Sequence, residues 1–449
     1  MGAATRERTG RSGRRASGSS RRQRSNGGGG PAAAAPATTP GTPAATTLRA
    51  IARTDRVRPL RRQLVIIEAA LVVAVVGAVL GGAWLVPAGV LTVLLVLLAV
   101  VRRRGRALQD WLSGALTLKA RRRAAAAAGP DAEPMLAPVA ENVPGFAPYI
   151  YVDRDHRTVG MLGDGTFLTA AVRVEASGEA LRPAFGARSL PLSLLGDALQ
   201  VDDIVLESAQ LVQQVRAAPA PHLPQQSVAR LSYGPLQDRT GAPALRMTWV
   251  AVKLDPELCR EAIEARGGGI EGAQRALVRA ADHVASRITG AGFRAVVLDQ
   301  DGLNSAVATS ACANPLLSGR AGRPGPAPQR RTMETSRVWR CDDRWHTTYA
   351  VDRWPQLGRG ATPLPQLVAL LTSVPAYATT FSLTVRRGAR QGETSVSGHV
   401  RVTGGSDTEL VGVRRTLEQA ARHAKVGLAR LDREQLPGVL ATLPLGGAR

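Results

Sequence analysis

The sequence predicts an α/β protein with an N-terminal transmembrane helical hairpin and a mixed-sheet cytoplasmic domain, the latter with two candidate ββαββαβα halves. Three observations carry this. Across residues 64–101 the only ionisable side chain is Glu68, and Leu, Val, Ile, Ala and Gly supply nearly everything else. From about Tyr149 onward, stretches of period two alternate with stretches of helical period, the rhythm of α/β architecture. The order of those stretches then recurs in the C-terminal third.

Residues 1–48 are Arg, Ser, Gly, Ala, Pro and Thr with almost no large apolar side chain. No core can form there to offset backbone ordering entropy, so a disordered basic tail is expected. Residues 49–106 hold the anchor. Its apolar run is too long for one span of about 20 residues and suits two, and Gly81, Gly82 and Pro87 interrupt it by lost propensity and a missing N–H. The arms are therefore placed at 64–82 and 83–101, as closed helices that satisfy their own backbone in hydrocarbon. Arg58, Arg61 and Arg62 precede the run, and Arg102, Arg103 and Arg104 follow it. Basic residues at both ends predict that both termini are cytoplasmic and that these six arginines orient the anchor in its membrane, beside anionic lipid. Gly77 and Gly81 form a small-xxx-small pair for helix packing, against the second arm or against a partner helix. Glu68 lies about one turn inside, where its carboxylate can snorkel or meet basic residues.

The formal charge of +23 invites a nucleic-acid reading, but its placement argues against one. Residues 1–62 hold 14 Arg against Glu7 and Asp55, and residues 102–123 hold eight basic side chains against Asp110. Little net charge remains beyond them, so the basic character is concentrated beside the bilayer. Cys259, Cys312 and Cys341 have no pairing or metal spacing and read as small buried hydrophobes.

Residues 107–148 read as a semi-extended connector: a short amphipathic piece near Trp111 and Leu112, an Arg and Ala tract, then five prolines from Pro130 to Pro148. The first half, 149–318, opens with a hairpin from Val159 to Glu175 around Asp164-Gly165. A short helix at 190–199 follows, then strands 204–215 and 245–254, with Asp255-Pro256 as N-cap and N1 of the next helix. A helix at 271–289 shows Leu277, Ala281, Val284 and Ile288 on one stripe, before strand 293–298 and helix 301–311. After a linker at 319–334, the half 335–449 repeats the order: strands 335–341 and 345–351, helix 364–374, half-buried strands around 381–385 and 396–402, a helix capped by Ser406 and Glu409, strand 426–431 and a last helix from Arg433. Setting n against n+133 places Leu277 on Leu410, Val284 on Leu417, Leu298 on Leu431, Asp299 on Asp432 and Leu303 on Leu436 without a gap.

The runs LPLSLLGDALQVDDIVLES (190–208), PAPHLP (219–224), TWVAVKLDPEL (248–258) and GGGIEGAQRALVRAADHVASRITGAGFRAVVLD (267–299) resemble the EccE family, the E component of the actinobacterial type VII (ESX) secretion machine. The resemblance spans roughly residues 50–449. It implies a subunit of the bacterial cell (inner) membrane with a two-helix anchor and a cytoplasmic domain, assembled with EccB, EccC and EccD and associated with the mycosin protease; the role expected of such a chain is that of a non-catalytic scaffold. The Arg-rich tail departs from the family pattern.

Motifs that could carry chemistry are few. Gly267, Gly269 and Gly272 match GxGxxG, but a helix rather than a strand runs into them, which favours a helix-to-helix turn. Asp153-Arg154-Asp155 and Asp299-Gln300-Asp301 are DxD arrangements. They support the alternative reading, a membrane-tethered, metal-dependent glycosyltransferase-like enzyme, with Asp301 and the Asp432 counterpart of Asp299 otherwise read as helix caps. Six histidines show no metal spacing, and His283 falls on a polar helix face. The sequence thus assigns no catalytic, cofactor-binding or metal residue.

Overall fold

A computed structural model describes residues 57–447 apart from 101, 104–105, 128–132, 177–188, most of 217–244, 320–329, 356–362 and 389–392, together with a short strand at Leu48–Ala50. The basic tail expected at 1–48 lies outside the described residues except for the first residue of that strand.

The anchor segment is a helical hairpin. Helix α1 runs over Val57–Leu80 and α2 over Leu85–Val100, joined by a single 3-10 turn at Gly82–Trp84. The turn falls where the sequence breaks: Gly81 and Gly82 take φ of 58° and 56°, a region that costs little only without a Cβ. Pro87 sits in the first turn of α2, where its missing N–H removes no intrahelical bond. The connector expectation is corrected. Residues Leu108–Ala127 form a continuous helix, α3, because Ala, Leu, Arg and Lys dominate the stretch and all favour helix. Farther along, Leu136, Ala137 and Val139 are buried in the body of the domain rather than strung along an arm.

The remaining chain builds one large sheet from two equivalent sets of strands, besides a two-residue ribbon of Gln200–Val201 with Ile204–Val205. The first set is β1 (Ala147–Val152), β2 (Thr158–Gly163), β3 (Leu168–Ala176), β4 (Ser208–Arg216), β5 (Leu245–Leu254) and β6 (Phe293–Val297). The second is β7 (Thr332–Glu334), β8 (Trp339–Cys341), β9 (Arg344–Arg353), β10 (Ala378–Arg387), β11 (Thr394–Gly404) and β12 (Gly427–Arg430). Their order across the sheet is β7-β8-β9-β11-β10-β4-β5-β3-β2-β1, with β6 on β3 and β12 on β9. Every strand of the first set thus has a counterpart six numbers later with the same neighbours. Helices follow suit: α4 (Ser193–Asp197), α5 (Gly269–Gly290) and α6 (Gln300–Ser310) recur as α7 (Leu364–Thr372), α8 (Asp407–His423) and α9 (Gln435–Leu440).

The register makes the repeat specific. The n+133 match pairs Val297 with Arg430; Val297 lies opposite Val172 and Arg430 opposite Tyr349. Val172 in turn faces Val250, and Tyr349 faces Val400. Those face Leu211 and Phe381. At the junction of the halves, Leu211 pairs with Leu383 and Gln213 with Phe381, flanking the Val212–Ser382 pair symmetrically. The two halves are therefore related by a pseudo-twofold through that pair. The mixed-sheet expectation is corrected to an antiparallel sheet, in which the one parallel pairing among the described residues is Leu48–Ala50 beside β11.

Alternation along the strands supplies two cores. One face packs on α4, α5, α7 and α8 through residues such as Val172, Val250, Leu277, Phe381, Val400 and Leu410. The other packs on α6, α9 and the short helix Ala137–Ala140 through Trp249, Leu303, Trp339, Leu436 and Val439. Several local signals act as expected. Asp255 accepts from Glu257 N at 3.0 Å, Asp164 from Thr166 N at 2.9 Å, and Ser406 from Glu409 N at 3.1 Å.

Candidate functional site

The hairpin is the least covered part of the molecule. Leu71, Val79, Leu80, Val86, Val90 and Leu94 are all exposed, Val79 to 80% and Val86 to 73%, although each belongs to a residue type that soluble helices bury. Within the hairpin, Ala70 is buried. A Cβ built on Gly77 would overlap Ala88, so this glycine permits close approach of the arms, whereas nothing lies near Gly81 and its role is in the turn. Among the described residues no helix is long and apolar enough to cross a membrane. For α2 length suffices to explain this: it has 16 residues, about 24 Å at 1.5 Å per residue, against a hydrocarbon core of about 30 Å. The side chains of Arg58, Arg61, Arg62, Arg102 and Arg103 lie outside the described residues, as does Arg104 altogether; the backbone places the first three in α1, and Arg102–Arg103 pairs with Arg106–Ala107 as a two-residue ribbon. Glu68 is exposed on α1.

Helix α3 joins the hairpin to the sheet through one carboxylate. Arg121 reaches Glu334 with two parallel bonds, Nε to Oε2 at 3.1 Å and Nη2 to Oε1 at 3.0 Å. The same Nη2 donates to Arg433 O at 2.6 Å, and Arg122 Nε donates to Glu334 O at 2.8 Å. Glu334 Oε1 also accepts Leu436 N at 3.0 Å, at the start of α9. The Glu334 side chain is 4% exposed, so this fork is a desolvated, charge-assisted clamp holding α3, β7 and α9 together. Sequence reading missed it, because Glu334 fell in the stretch taken as linker and its partner lies 213 residues away.

A second polar feature lies under α6 and α9. Arg401, expected on the polar side of a half-buried strand, is fully buried, because these two helices cover the face that period-two alternation assigned to solvent. Its Nη2 donates to Ser310 O and, at 3.3 Å, to Thr380 Oγ1, while Nε and Nη1 have no partner. Burial lowers its pKa to about 10. His346, also fully buried, bonds Thr403 Oγ1 through Nδ1 at 3.0 Å, and burial, helped by Arg401 and Arg344, depresses its pKa strongly. The C-terminal stretch seals this layer: Gly446 N donates to Gln210 Oε1 at 2.8 Å, and Gln210 Nε2 donates to Ala441 O at 2.8 Å.

The motifs weighed for chemistry are occupied locally. Asp153 accepts from Arg154 N, and Asp299 accepts from Gly302 N at 2.8 Å as the cap of α6. The cap is thus Asp299 and not Asp301, and Asp432 differs from its counterpart by pairing with Arg430 at 2.6 Å. Among the described residues no group of three or more His, Cys, Asp or Glu side chains could hold a metal ion. Gly267–Gly269 make a turn from helix Arg260–Glu264 into α5, all three at positive φ. His283 is half buried in a shallow crevice against α4 rather than solvated. The three cysteines are buried and free, and burial raises the Cys341 thiol pKa.

Residues 242–351 match the family model described as "Putative type VII ESX secretion system translocon, EccE". The resemblance to EccE holds over that segment. It runs from β5 through α5, β6 and α6 into β9, so it covers the end of the first half, the start of the second and Glu334. The description is that of a type VII secretion translocon component. No curated protein matches the chain.

Proposed function

We propose that this chain is a non-catalytic membrane subunit and scaffold of a type VII secretion complex, working alongside EccB, EccC, EccD and the mycosin protease. The hairpin inserts in the bilayer of the cell membrane, and both its ends stay on the cytoplasmic side. The observation that carries this reading is the exposed apolar hairpin clamped through α3 to a buried carboxylate of the sheet. Such a surface is stable in lipid and a liability in water. The 17 residues from Leu64 to Leu80 stand at the short end of what a span needs, about 17 to 25, so local thinning or an unspanned outer leaflet accompanies insertion. Arg58, Arg61, Arg62, Arg102, Arg103 and Arg104 hold the two ends at the headgroups. Gly77 packs the arms together and Gly81 turns the chain.

The test is deletion of residues 64–101 from the intact chain, followed by fractionation. Release of the protein from alkaline-washed membranes, with loss of co-purifying secretion subunits, is the expected result. Retention in the washed membranes, or an unchanged complex and continued secretion without this subunit, would refute the scaffold.

A further inference from the structure

The pseudo-twofold gives the domain two faces of matching shape, but their charges differ. Residues 149–318 hold 16 basic and 18 acidic side chains, while residues 335–449 hold 16 basic and nine acidic. In the first half the outer helix α5 and the turn before it are neutralised pair by pair: Arg266 with Asp203 at 2.7 Å, Arg279 with Asp202 at 3.0 Å, Arg287 with Asp197 at 2.8 Å, and Asp282 with Arg157 at 2.7 Å. The second half carries a surplus of cations, and α3 docks on that half. Lys119 and Arg123 of α3 are exposed on either side of Arg121, and Arg337 and Arg340 of the β7–β8 hairpin are exposed too, Arg340 while donating to Asp342 O at 2.7 Å. Leu116 stands on the same stripe of α3 as Lys119 and Arg123 and is 66% exposed, and Met333, across from Arg340, is 47% exposed. Ser336, in the β7–β8 turn, accepts Arg433 N at 2.7 Å, which ties the turn to the residue whose carbonyl receives Arg121.

We infer that this rim, formed by α3 and the β7–β8 edge, is a second membrane contact that lays the second half of the domain against anionic lipid headgroups. The inference rests on the hairpin being inserted, and it is continuous with that anchor through α3. Interleaved cations and apolar side chains suit the zone between headgroup phosphates and acyl chains. Each basic residue near an anionic surface contributes roughly 1 kcal/mol, which is about fivefold in partitioning, within a screening length of about 8 Å at physiological salt. The first half, close to charge balance, has no comparable attraction and faces away.

The pseudo-twofold supplies its own control. Ser336 in the β7–β8 turn and Asp155 in the β1–β2 turn close corresponding hairpins, the β1–β2 hairpin running four residue pairs beyond Pro148–Leu162, the equivalent of Glu334–Trp339, and both are exposed. The full chain carrying Ser336→Cys or Asp155→Cys, labelled with a fluorophore, is reconstituted in phosphatidylcholine vesicles with or without phosphatidylglycerol, with a headgroup-attached quencher. Quenching at position 336 that rises with phosphatidylglycerol, falls in high salt and weakens about fivefold for each of Lys119→Gln, Arg123→Gln and Arg337→Gln is expected. Position 155 stays unquenched throughout. Equal quenching at both turns, or a 336 probe indifferent to lipid charge, overturns the inference and leaves the cationic rim for an acidic protein partner. A Leu91→Cys probe with an acyl-chain quencher separates the two readings. Quenched there but not at 336, the anchor stands and the rim does not; unquenched at 91, the inserted hairpin fails and the rim with it.

Discussion

Position 251 on β5 and position 401 on β11 are equivalent through the pseudo-twofold register, yet one is Ala in an apolar core and the other is Arg with two guanidinium nitrogens unpartnered among the described residues. Likewise Thr169 on β3 corresponds to His346 on β9, and the first half has nothing like the Glu334 clamp at the opposite edge. One topology therefore tolerates two interiors. The half on which α3 docks also carries the unpaired buried cation and the buried imidazole, whereas the buried cation of the first half, Lys253, is paired with Glu207 at 3.1 Å. Duplication fixes backbone geometry, while side chains on the two copies answer to what packs over them.

The comparison can be broken hardest at the clamp. Glu334→Ala leaves Arg121 facing a desolvated gap and orphans Leu436 N, and removing one partner of a buried pair costs about 3 to 5 kcal/mol. Denaturant unfolding of the full chain should read that loss, accompanied by new protease cleavage within 108–127. A smaller loss, within the range for an exposed pair, would make the clamp ornamental. Next come the core leucines related by n+133. Leu277 and Leu410 are both fully buried on the outer helices, so each change to Ala should cost about 2 to 5 kcal/mol and the two costs should agree. A tolerated change in one half would mean that the copies no longer share a cooperative unit.

Arg401→Met goes the other way. Replacing a buried, unpaired cation by an apolar side chain of similar length should raise stability by about 1 to 4 kcal/mol, and Ser310 O keeps Gln214 Nε2 at 3.3 Å as a donor. A fall in the melting temperature would point to an unrecognised anionic partner. The smallest effect concerns pH. His346 is held neutral in the folded protein with a pKa well below 6.5. The unfolded chain binds its proton at about pH 6.5, so stability is fully present above that value and declines as pH falls toward the folded value, by up to about 1.4 kcal/mol per unit. His346→Gln should flatten that acid limb, whereas Thr169, its equivalent, contributes none. An unchanged pH profile in the variant would place the titration elsewhere.

Much of the fold was legible because its signals are local. Strand 245–254 and the helix beginning at 364 fall at the bounds expected from the sequence, and the caps at Asp255 and Ser406 do as their residue types dictate. The connector failed because five prolines outweighed an Ala and Arg tract of high helix propensity immediately before them. The Asp301 cap failed by a single DxD ambiguity: two carboxylates two residues apart both satisfy the pattern, and only backbone geometry chooses between them.

By itself the sequence determined the apolar hairpin, its glycine turn, the alternation of strands and helices and the n+133 echo, since each arises from neighbours within a few residues or from repetition along the chain. Only the tertiary structure decided that the polar side of β11 would be covered, that Glu334 would meet Arg121, and that the two halves would join through β4 and β10 into one sheet. Those outcomes depend on which surfaces exclude water together, and residues 213 positions apart in the chain leave no periodic trace of that choice.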